Sequence, residues 1–255
     1  MTIRLDLDGP IGRLSIDRPD KRNAFNIAMW QALPALLDEA EQHRELRLLV
    51  VQSAQPGGAF CAGADIAELL DRKDDAAFHA ANQQAINNAL YRLARFPVPT
   101  LAFIEGDCVG GGAGIALACD LRVATQQARF GITPAKLGLV YPLHDVAHLV
   151  ALVGPGQARR LLYTGSLIDA AEALRIGLVE AIADDISVFA EPICAVSGNS
   201  TAALKGFVRR VIDGQSEDDP ETLRIFAEAV TGPDFVEGTS AFVERRKPQF
   251  GPRSD

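Results

Sequence analysis

A three-glycine loop that runs into a short apolar segment constrains this chain more than any other feature. Residues 106–120 read GDCVGGGAGIALACD, and a strand-like apolar run over Thr100–Ile104 precedes them. Gly110, Gly111 and Gly112 have no side chains, so a ligand can approach the main chain closely there. The first N–H groups of the predicted helix have no partner within the helix, and the helix dipole makes that end positive. The segment therefore predicts a strand–loop–helix unit whose loop could bind an anion, or an oxygen that becomes one during a reaction. Three glycines alone, however, favour a purely structural role.

A second segment of the same kind bears on the alternative, which is a tight turn with close helix packing. Residues 58–66 read GAFCAGADI and follow an apolar run at 48–51. They again place small residues where a strand gives way to a helix, here predicted from Ile66 to Leu70. Two such segments can supply two backbone N–H donors to one carbonyl oxygen. The pair therefore favours an oxyanion-binding site over close packing alone.

These two segments and four others, in order along the chain, resemble the enoyl-CoA hydratase/isomerase (crotonase) family. The matching stretches are RPDKRNAFN at 18–26, FCAGADI at 60–66, VGGGAGIALACDLRVA at 109–124, LGLV at 137–140, TGSLIDAAEALRIGLVE at 164–180 and DFVEGTSAFVERRKPQF at 234–250. The resemblance implies an α/β fold, a crotonase-like spiral of ββα units with a helical C-terminal region, and assembly as a homotrimer or hexamer. It does not define the reaction, because one fold hosts many chemistries.

Hydrophobic patterning divides the chain into an α/β part and a helical part. Two alternating runs at 3–7 and 11–16 predict a hairpin, and Asn26 is expected to cap a helix that extends to about His43. Further strands are predicted at 48–51, 100–104, 121–124 and 179–182, with a helix at 76–95. This alternation predicts crossover connections and largely parallel pairing.

From about residue 185 helical periodicity dominates. The predicted helices cover 186–197, 201–213, 217–230 and 234–245. Periodicity thus places a boundary near residue 185. Together with it, the resemblance implies an α/β spiral core with the acyl-CoA site over residues 1–185, and a helical C-terminal oligomerisation region over residues 186–255.

Composition argues against several other classes of protein. The net charge of −8 and the absence of a basic cluster with interleaved aromatics argue against a nucleic-acid partner. No apolar run approaches 18 residues, and the N-terminal MTIRLDLDGP lacks the apolar core of a secretory signal. The four cysteines form no CxxC pair, which is typical of reduced thiols. We expect a cytoplasmic protein with no membrane partner. Phosphate-loop, GxSxG and GxGxxG signatures are also missing.

The resemblance assigns the main-chain donors and a coenzyme A site by motif position. The N–H groups of Ala64 and Gly111 would hold the thioester carbonyl of an acyl-CoA and stabilise the enolate oxygen that develops on it. The residues expected to contact the coenzyme A moiety are Lys21, Arg22, Ala24, Ala62, Asp65, Ile66, Phe242 and Lys247, with Arg245 as the alternative to Lys247. The alternative for each cation is a solvated surface charge. Coenzyme A would enter as part of the substrate, with no separate cofactor and no metal.

The chain departs from the hydratases of this family at both of their acid–base positions. The first glutamate, three residues after the oxyanion glycine, is Gly114 here, and the second falls on Pro134. Hydration needs a base to activate water and an acid to protonate carbon, and neither glycine nor proline can do this. The departures favour isomerisation or a decarboxylase-like lyase step over hydration. The alternative is a non-catalytic CoA-thioester-binding or assembly protein of the same fold.

Three polar side chains shortly after Pro134 are the remaining catalytic candidates. Residues 133–141, TPAKLGLVY, resemble a stretch of methylmalonyl-CoA decarboxylases whose tyrosine faces the acyl group. That resemblance implies that Tyr141 donates a hydrogen bond or a proton; the alternative is a hydroxyl bonded to the main chain. His144 and Asp145 are candidate acid–base groups or an ordinary first helical turn.

The same stretch bears on two further kinds of chemistry, an aspartate nucleophile and a metal site. A haloacyl-CoA dehalogenase branch of the family carries glycine at the position of Gly114, but its aspartate nucleophile falls on Pro142 here. His144 and His148, at i and i+4, could share a metal ion, but no third ligand is evident. We therefore predict neither that nucleophile nor a metal site.

Overall fold

Residues 2–254, which the computed structural model of the chain describes, form two β-sheets and ten α-helices. The strands are β1 (Ile3–Asp8), β2 (Ile11–Ile16), β3 (Leu48–Ser53), β4 (Thr100–Ile104), β5 (Asp107–Val109), β6 (Leu121–Ala124), β7 (Arg129–Gly131), β8 (Ile168–Asp169) and β9 (Ala181–Ile182). The helices are α1 (Ile27–Glu41), α2 (Ile66–Asp71), α3 (Ala76–Ala94), α4 (Gly111–Ala118), α5 (Leu143–Thr164), α6 (Ala170–Arg175), α7 (Ser187–Cys194), α8 (Gly198–Ile212), α9 (Pro220–Thr231) and α10 (Pro233–Glu244).

The larger sheet has six strands in the order β1-β2-β3-β4-β6-β9. The β1–β2 pair is the predicted antiparallel hairpin, and every later neighbour in this sheet pairs parallel. Residues 48–51 of β3 are fully buried, as expected of a strand covered on both faces. The predicted crossover topology is therefore confirmed.

The predicted first helix is also present, with the predicted cap. The Asn26 side chain accepts a hydrogen bond of 3.0 Å from the N–H of Met29 and so satisfies one free donor at the start of α1. Met29, Leu33 and Leu37 of this helix are buried in the main core cluster. Their spacing of four residues puts them on one face, which packs against α3 and the sheet.

A second sheet, not expected from the sequence, has three short strands in the order β5-β7-β8. Strand β5 pairs parallel with β7, and an isolated bridge joins Cys61 to Cys108 in β5. Two successive units repeat one plan: a strand of the large sheet (β4, then β6), a strand of the small sheet (β5, then β7), and a helix (α4, then α5). The small sheet thereby places the loop after β5 beside residues 61–64.

Beyond β9 all the elements of the described chain are helices, as predicted, but several predicted boundaries differ from the observed ones. The side chain of Ser197 accepts a hydrogen bond from Ser200, so α8 begins at Gly198 rather than at residue 201. The strand predicted at 179–182 is shortened to Ala181–Ile182, because the N–H groups of residues 178 and 179 donate to the Ala173 carbonyl instead.

Candidate active site

Two loops meet at the start of α4 and present two unused main-chain donors. A Cβ atom built on Gly111 would lie 3.6 Å from the carbonyl carbon of Gly63 and 3.7 Å from the nitrogen of Ala64. Within residues 2–254, neither the Ala64 N–H nor the Gly111 N–H donates to a protein acceptor. The structure therefore brings together the two donors that the sequence predicts, side by side and free to bind one oxygen.

Backbone hydrogen bonds hold the first of these loops in place. The N–H of Phe25 donates to the Gly63 carbonyl at 2.8 Å, and the N–H of Asp65 donates to the Phe25 carbonyl at 2.8 Å. On the other side, Val109 donates to the Cys61 carbonyl at 2.9 Å. A Cβ atom on Gly112 would overlap that same carbonyl oxygen of Cys61, so only glycine fits there. Main-chain contacts therefore contribute to the position of both donors.

Asp65 and Ile66, both predicted to contact coenzyme A, begin α2 directly after the loop. The Asp65 carboxylate caps this helix through the N–H of Glu68 and forms an ion pair of 2.7 Å with Arg18. Burial acts to raise the pKa of Asp65, but the hydrogen bond and charge of Arg18 hold it below its usual value. Its side chain is therefore engaged in the loop, whereas Ile66 is exposed at the helix start.

Four more residues predicted to contact coenzyme A lie in the segments around Arg18, and they differ in exposure and in hydrogen bonding. They are Lys21, Arg22, Ala24 and Ala62. Lys21 is exposed, whereas the exposed Arg22 forms an ion pair with the buried Asp107. The Ala24 carbonyl accepts from Arg18 at 2.9 Å, and the Ala62 N–H donates to the Arg22 carbonyl at 3.0 Å. Arg22 also lines a polar cleft of about 460 Å³ beside Asp107. The main-chain groups of Ala24 and Ala62 are thus engaged in holding the loops.

Phe242 and Lys247 belong to the helical region, and the structure does not bring them to the two loops. Phe242 is 84% exposed on α10, which packs mainly against α9, and Lys247 is exposed after the end of α10. Arg245, the alternative to Lys247, forms the left-handed C-cap of α10. Contact of these residues with coenzyme A stays a prediction.

A carboxylate lies against α4 at the glycine that replaces the family's first glutamate. A Cβ atom built on Gly114 would lie 3.0 Å from Oδ2 of Asp145 and 3.4 Å from the Tyr141 hydroxyl oxygen. Asp145 is in the first turn of α5 and is only 2% exposed. The neighbouring helix therefore places a carboxyl group next to the position at which the resemblance implies a glutamate.

The Asp145 carboxyl group is buried with few polar partners. Its Oδ1 atom lies 2.9 Å from Nε2 of His144, but the two atoms do not align as a hydrogen bond. Burial raises the pKa of Asp145 to about 7. Burial also lowers the pKa of the half-exposed His144 below its usual value. Near neutral pH both protonation states of Asp145 are populated, which is the property that a proton-transfer group needs.

Tyr141 is buried beside Asp145, but its hydroxyl faces the main chain. The hydroxyl donates a hydrogen bond of 3.0 Å to the Gly110 carbonyl. Burial, and then the nearby charge of Asp145, raise the pKa of Tyr141 well above its usual value, so the phenol stays protonated. The predicted tyrosine is at the site, but its hydroxyl already donates a hydrogen bond to the glycine loop.

The other residues of this stretch supply no further acid–base group. Pro134 begins a turn of 3₁₀-helix over 134–137. His148 lies with its Nε2 atom 3.2 Å from Arg209, and burial lowers its pKa to about 4. In the part of the chain that the structure describes, no group of three or more His, Cys, Asp or Glu residues is arranged to hold a metal ion.

Sequence reasoning missed the contact between Gly114 and Asp145. The two residues are 31 positions apart and lie on different helices, so no local pattern joins them. The sequence does carry one signal: Gly114 lies inside a short helix of small and apolar residues, and a glycine there leaves room for a side chain from a neighbouring element.

Comparisons with known proteins show the same family along the length of the chain. Residues 7–253 match the family model described as enoyl-CoA hydratase/isomerase. A short-chain-enoyl-CoA hydratase of Clostridium acetobutylicum is 30% identical over 95% of this chain and 95% of its own length.

Solved structures of similar proteins extend the likeness to the fold. A protein of Hyphomonas neptunium, described as belonging to the enoyl-CoA hydratase/isomerase family, superimposes with a TM-score of 0.94 at 37% identity, over 99% of this chain and 98% of its own. An enoyl-CoA hydratase of Bacillus anthracis gives a TM-score of 0.88 at 27% identity, over 98% and 99%. The α/β spiral with a helical C-terminal region is thereby confirmed.

Proposed function

The chain belongs to the enoyl-CoA hydratase/isomerase family of acyl-CoA-processing enzymes, and from that premise we propose that it shifts a double bond in an enoyl-CoA thioester. The reaction would pass through an enolate whose oxygen binds the N–H groups of Ala64 and Gly111. Asp145 would move the proton. Coenzyme A would be part of the substrate, and no separate cofactor is proposed.

The observation that carries this proposal is the position of the Asp145 carboxylate against Gly114. From a 3-enoyl-CoA, the ionised carboxylate takes a proton from C2, and the electron pair moves onto the thioester oxygen. The resulting carboxylic acid then returns the proton to C4, and the double bond moves to C2–C3. One group performs both transfers, and its pKa of about 7 suits both directions. His144, half-exposed beside it, would connect the carboxylate to solvent.

A single carboxylate suits this shift better than the two other reactions considered. Hydration needs one group to activate water and another to protonate carbon, and both family glutamates are replaced. A decarboxylase would place a substrate carboxylate in the same site, where an ionised Asp145 repels it. The hydroxyl of Tyr141, which would have supported that chemistry, is already bonded to Gly110.

Comparing two substrates tests the proposal. Short 3-enoyl-CoA thioesters should gain the absorbance of a conjugated enoyl thioester when the purified protein is added. The matching 2-enoyl-CoA thioesters should lose that absorbance much more slowly. Hydration faster than isomerisation would contradict the proposed reaction. If the protein binds acyl-CoA but turns over neither substrate, and turns over no malonyl-type thioester either, the non-catalytic alternative would be favoured instead.

We further propose that the helical region assembles the chain as a homotrimer or hexamer. Helices α8 to α10 expose many apolar side chains, which favours burial against another subunit. These are Leu204, Val208, Val211, Ile212, Leu223, Phe226, Val230, Phe235, Val236, Phe242 and Val243. None of the helices within residues 2–254 has the length and apolar character to cross a membrane. A cytoplasmic location stays a prediction.

A further inference from the structure

One peptide group carries both the tyrosine contact and an oxyanion donor. The carbonyl of Gly110 and the N–H of Gly111 belong to the same planar amide. The carbonyl end accepts from the Tyr141 hydroxyl at 3.0 Å and from the N–H of Gly114 at 3.1 Å. The N–H end points away from the helix that it begins, and it donates to no protein acceptor within residues 2–254. Any group that turns or polarises this amide therefore acts directly on the donor.

We propose that Tyr141 is a positioning residue for the oxyanion site. Its hydroxyl holds and polarises the Gly110–Gly111 amide. This inference rests on the proposed function, because it concerns the same thioester oxygen. Tyr141 does not touch the substrate in this account. Its effect reaches the substrate through the N–H of Gly111.

The amide needs such a restraint because of the two glycines around it. Gly110 has φ 55° and ψ −114°, a conformation that residues with a side chain rarely adopt. Its ψ angle sets the direction in which the following N–H points, and glycine offers little steric resistance to rotation about that bond. The N–H of Gly110 donates to the Gly131 carbonyl at 2.9 Å, which fixes the peptide group before Gly110. The Tyr141 hydroxyl fixes the peptide group after it.

Polarisation adds to this restraint. Hydrogen bonds in a chain strengthen one another, since a donor on the carbonyl oxygen draws charge from the amide and makes its N–H a better donor. The effect matters most where water is excluded, and Tyr141 is only 8% exposed. Its raised pKa keeps the hydroxyl proton in place at neutral pH.

The segment that carries Tyr141 also carries Asp145. Tyr141 precedes α5 by two residues, and Asp145 lies in its first turn. One rigid segment would therefore align the donor that binds the oxygen and the carboxylate that moves the proton. Precise placement of both groups is what a site stabilising an enolate requires.

The test compares Tyr141→Phe with Tyr163→Phe, which changes a tyrosine that is 76% exposed on α5. Hexa-2,4-dienoyl-CoA serves as the probe, because its conjugated thioester absorbs at longer wavelength than adenine. In the wild type the probe's band should shift to the red on binding, as hydrogen bonds polarise the thioester carbonyl. Tyr141→Phe should reduce this shift. It should also lower kcat for 3-enoyl-CoA about 3- to 10-fold, the change expected from the loss of one neutral hydrogen bond. KM should stay nearly unchanged. Tyr163→Phe should change neither.

The outcomes separate this inference from the proposed function. A folded Tyr141→Phe variant with the wild-type red shift and wild-type kcat would overturn the positioning role and leave the proposed function standing. A rise in KM with kcat unchanged would also overturn it, because it indicates a ground-state binding role. Absence of any red shift in the wild type would contradict the oxyanion site itself, and the inference with it. If Tyr141→Phe does not fold, Tyr141→Trp and Tyr141→His replace it, because both side chains retain an N–H donor. A folded variant of this kind should show part of the wild-type red shift. If no folded variant shows any of it, the result counts against the inference.

Discussion

The two ends of the candidate site are built in different ways. The end proposed to bind the thioester oxygen consists of main-chain N–H groups from two glycine-containing loops, and backbone hydrogen bonds help to hold each loop. The end proposed to transfer the proton consists of side chains from the start of α5, packed against a glycine of α4. The first end lies in stretches that resemble the family's motifs, whereas the departures predicted from the sequence, Gly114 and Pro134, belong to the second.

This difference follows from what each end of the site requires. A main-chain donor depends on a loop path that only certain glycines permit, so the pattern stays visible in the sequence. A carboxylate needs only to reach the right point in space, and either of two packed helices can supply it. The exchange at this site also replaces the long side chain of a glutamate on α4 with a shorter one from α5. The space beside α4 remains filled, by Asp145 and Tyr141.

The largest effect is expected at the side-chain end. Asp145→Asn keeps the shape of the side chain and removes its ability to take and return a proton. We expect kcat for 3-enoyl-CoA to fall about 10²- to 10⁴-fold, the usual contribution of one acid–base group. Binding of a saturated acyl-CoA should be unchanged, since the Ala64 and Gly111 donors remain. Steady-state kinetics and calorimetric titration of the same preparation measure the two quantities.

Asp6→Asn is the matched control, because Asp6 is exposed on β1. It should leave kcat within twofold of the wild type, on the order expected for a surface substitution. An Asp145→Asn enzyme as active as this control would show that another group moves the proton. His144 would then be the next candidate.

A smaller effect, mainly on stability, is expected at the main-chain end. Gly112→Ala places a methyl group against the Cys61 carbonyl, where backbone rather than a flexible side chain must give way. Such overpacking should lower the free energy of unfolding by about 1–3 kcal/mol. It should also weaken the red shift of the bound dienoyl thioester, because the loop that carries Ala64 is displaced. Denaturant unfolding and the probe spectrum measure both.

Gly156→Ala is the control for this substitution. Gly156 is exposed in α5, and an added Cβ atom there would meet nothing within 4 Å. This variant should be as stable as the wild type or slightly more so. Equal stability of the Gly112→Ala and Gly156→Ala proteins would mean that the two loops are not packed as tightly as described.

Long periodic elements and the glycine loops were predictable from sequence, and short or non-local features were not. Helix α1 was recognisable from Asn26 and the spacing of Met29, Leu33 and Leu37. Strands β5, β7 and β8 have only two or three residues each, too few to show a period, and they exist because distant segments pair.

The same distinction applies within the site. Ala64 and Gly111 follow from motifs that are local in sequence, whereas the partner of Asp145 at Gly114 follows from how two helices pack. The role of the Tyr141 hydroxyl also depends on which acceptor lies within reach, and only the structure shows that this is the Gly110 carbonyl.

The dependence of kcat/KM on pH for isomerisation of a 3-enoyl-CoA tests the central claim most directly, that Asp145 supplies the proton-transfer group. The ionised carboxylate is the form that begins the reaction, so kcat/KM should rise with pH, pass its midpoint near 7, and level off above it. An ordinary exposed aspartate would instead give a midpoint near 4, and His144, whose pKa is lowered by burial, would give one below its usual value of about 6.5. A rise centred near 7 that disappears from the residual activity of Asp145→Asn is the predicted result. Two results would contradict the account. One is a profile that is flat between about pH 5.5 and pH 8.5, roughly the range in which a midpoint near 7 would be visible. The other is a profile that is unchanged in Asp145→Asn.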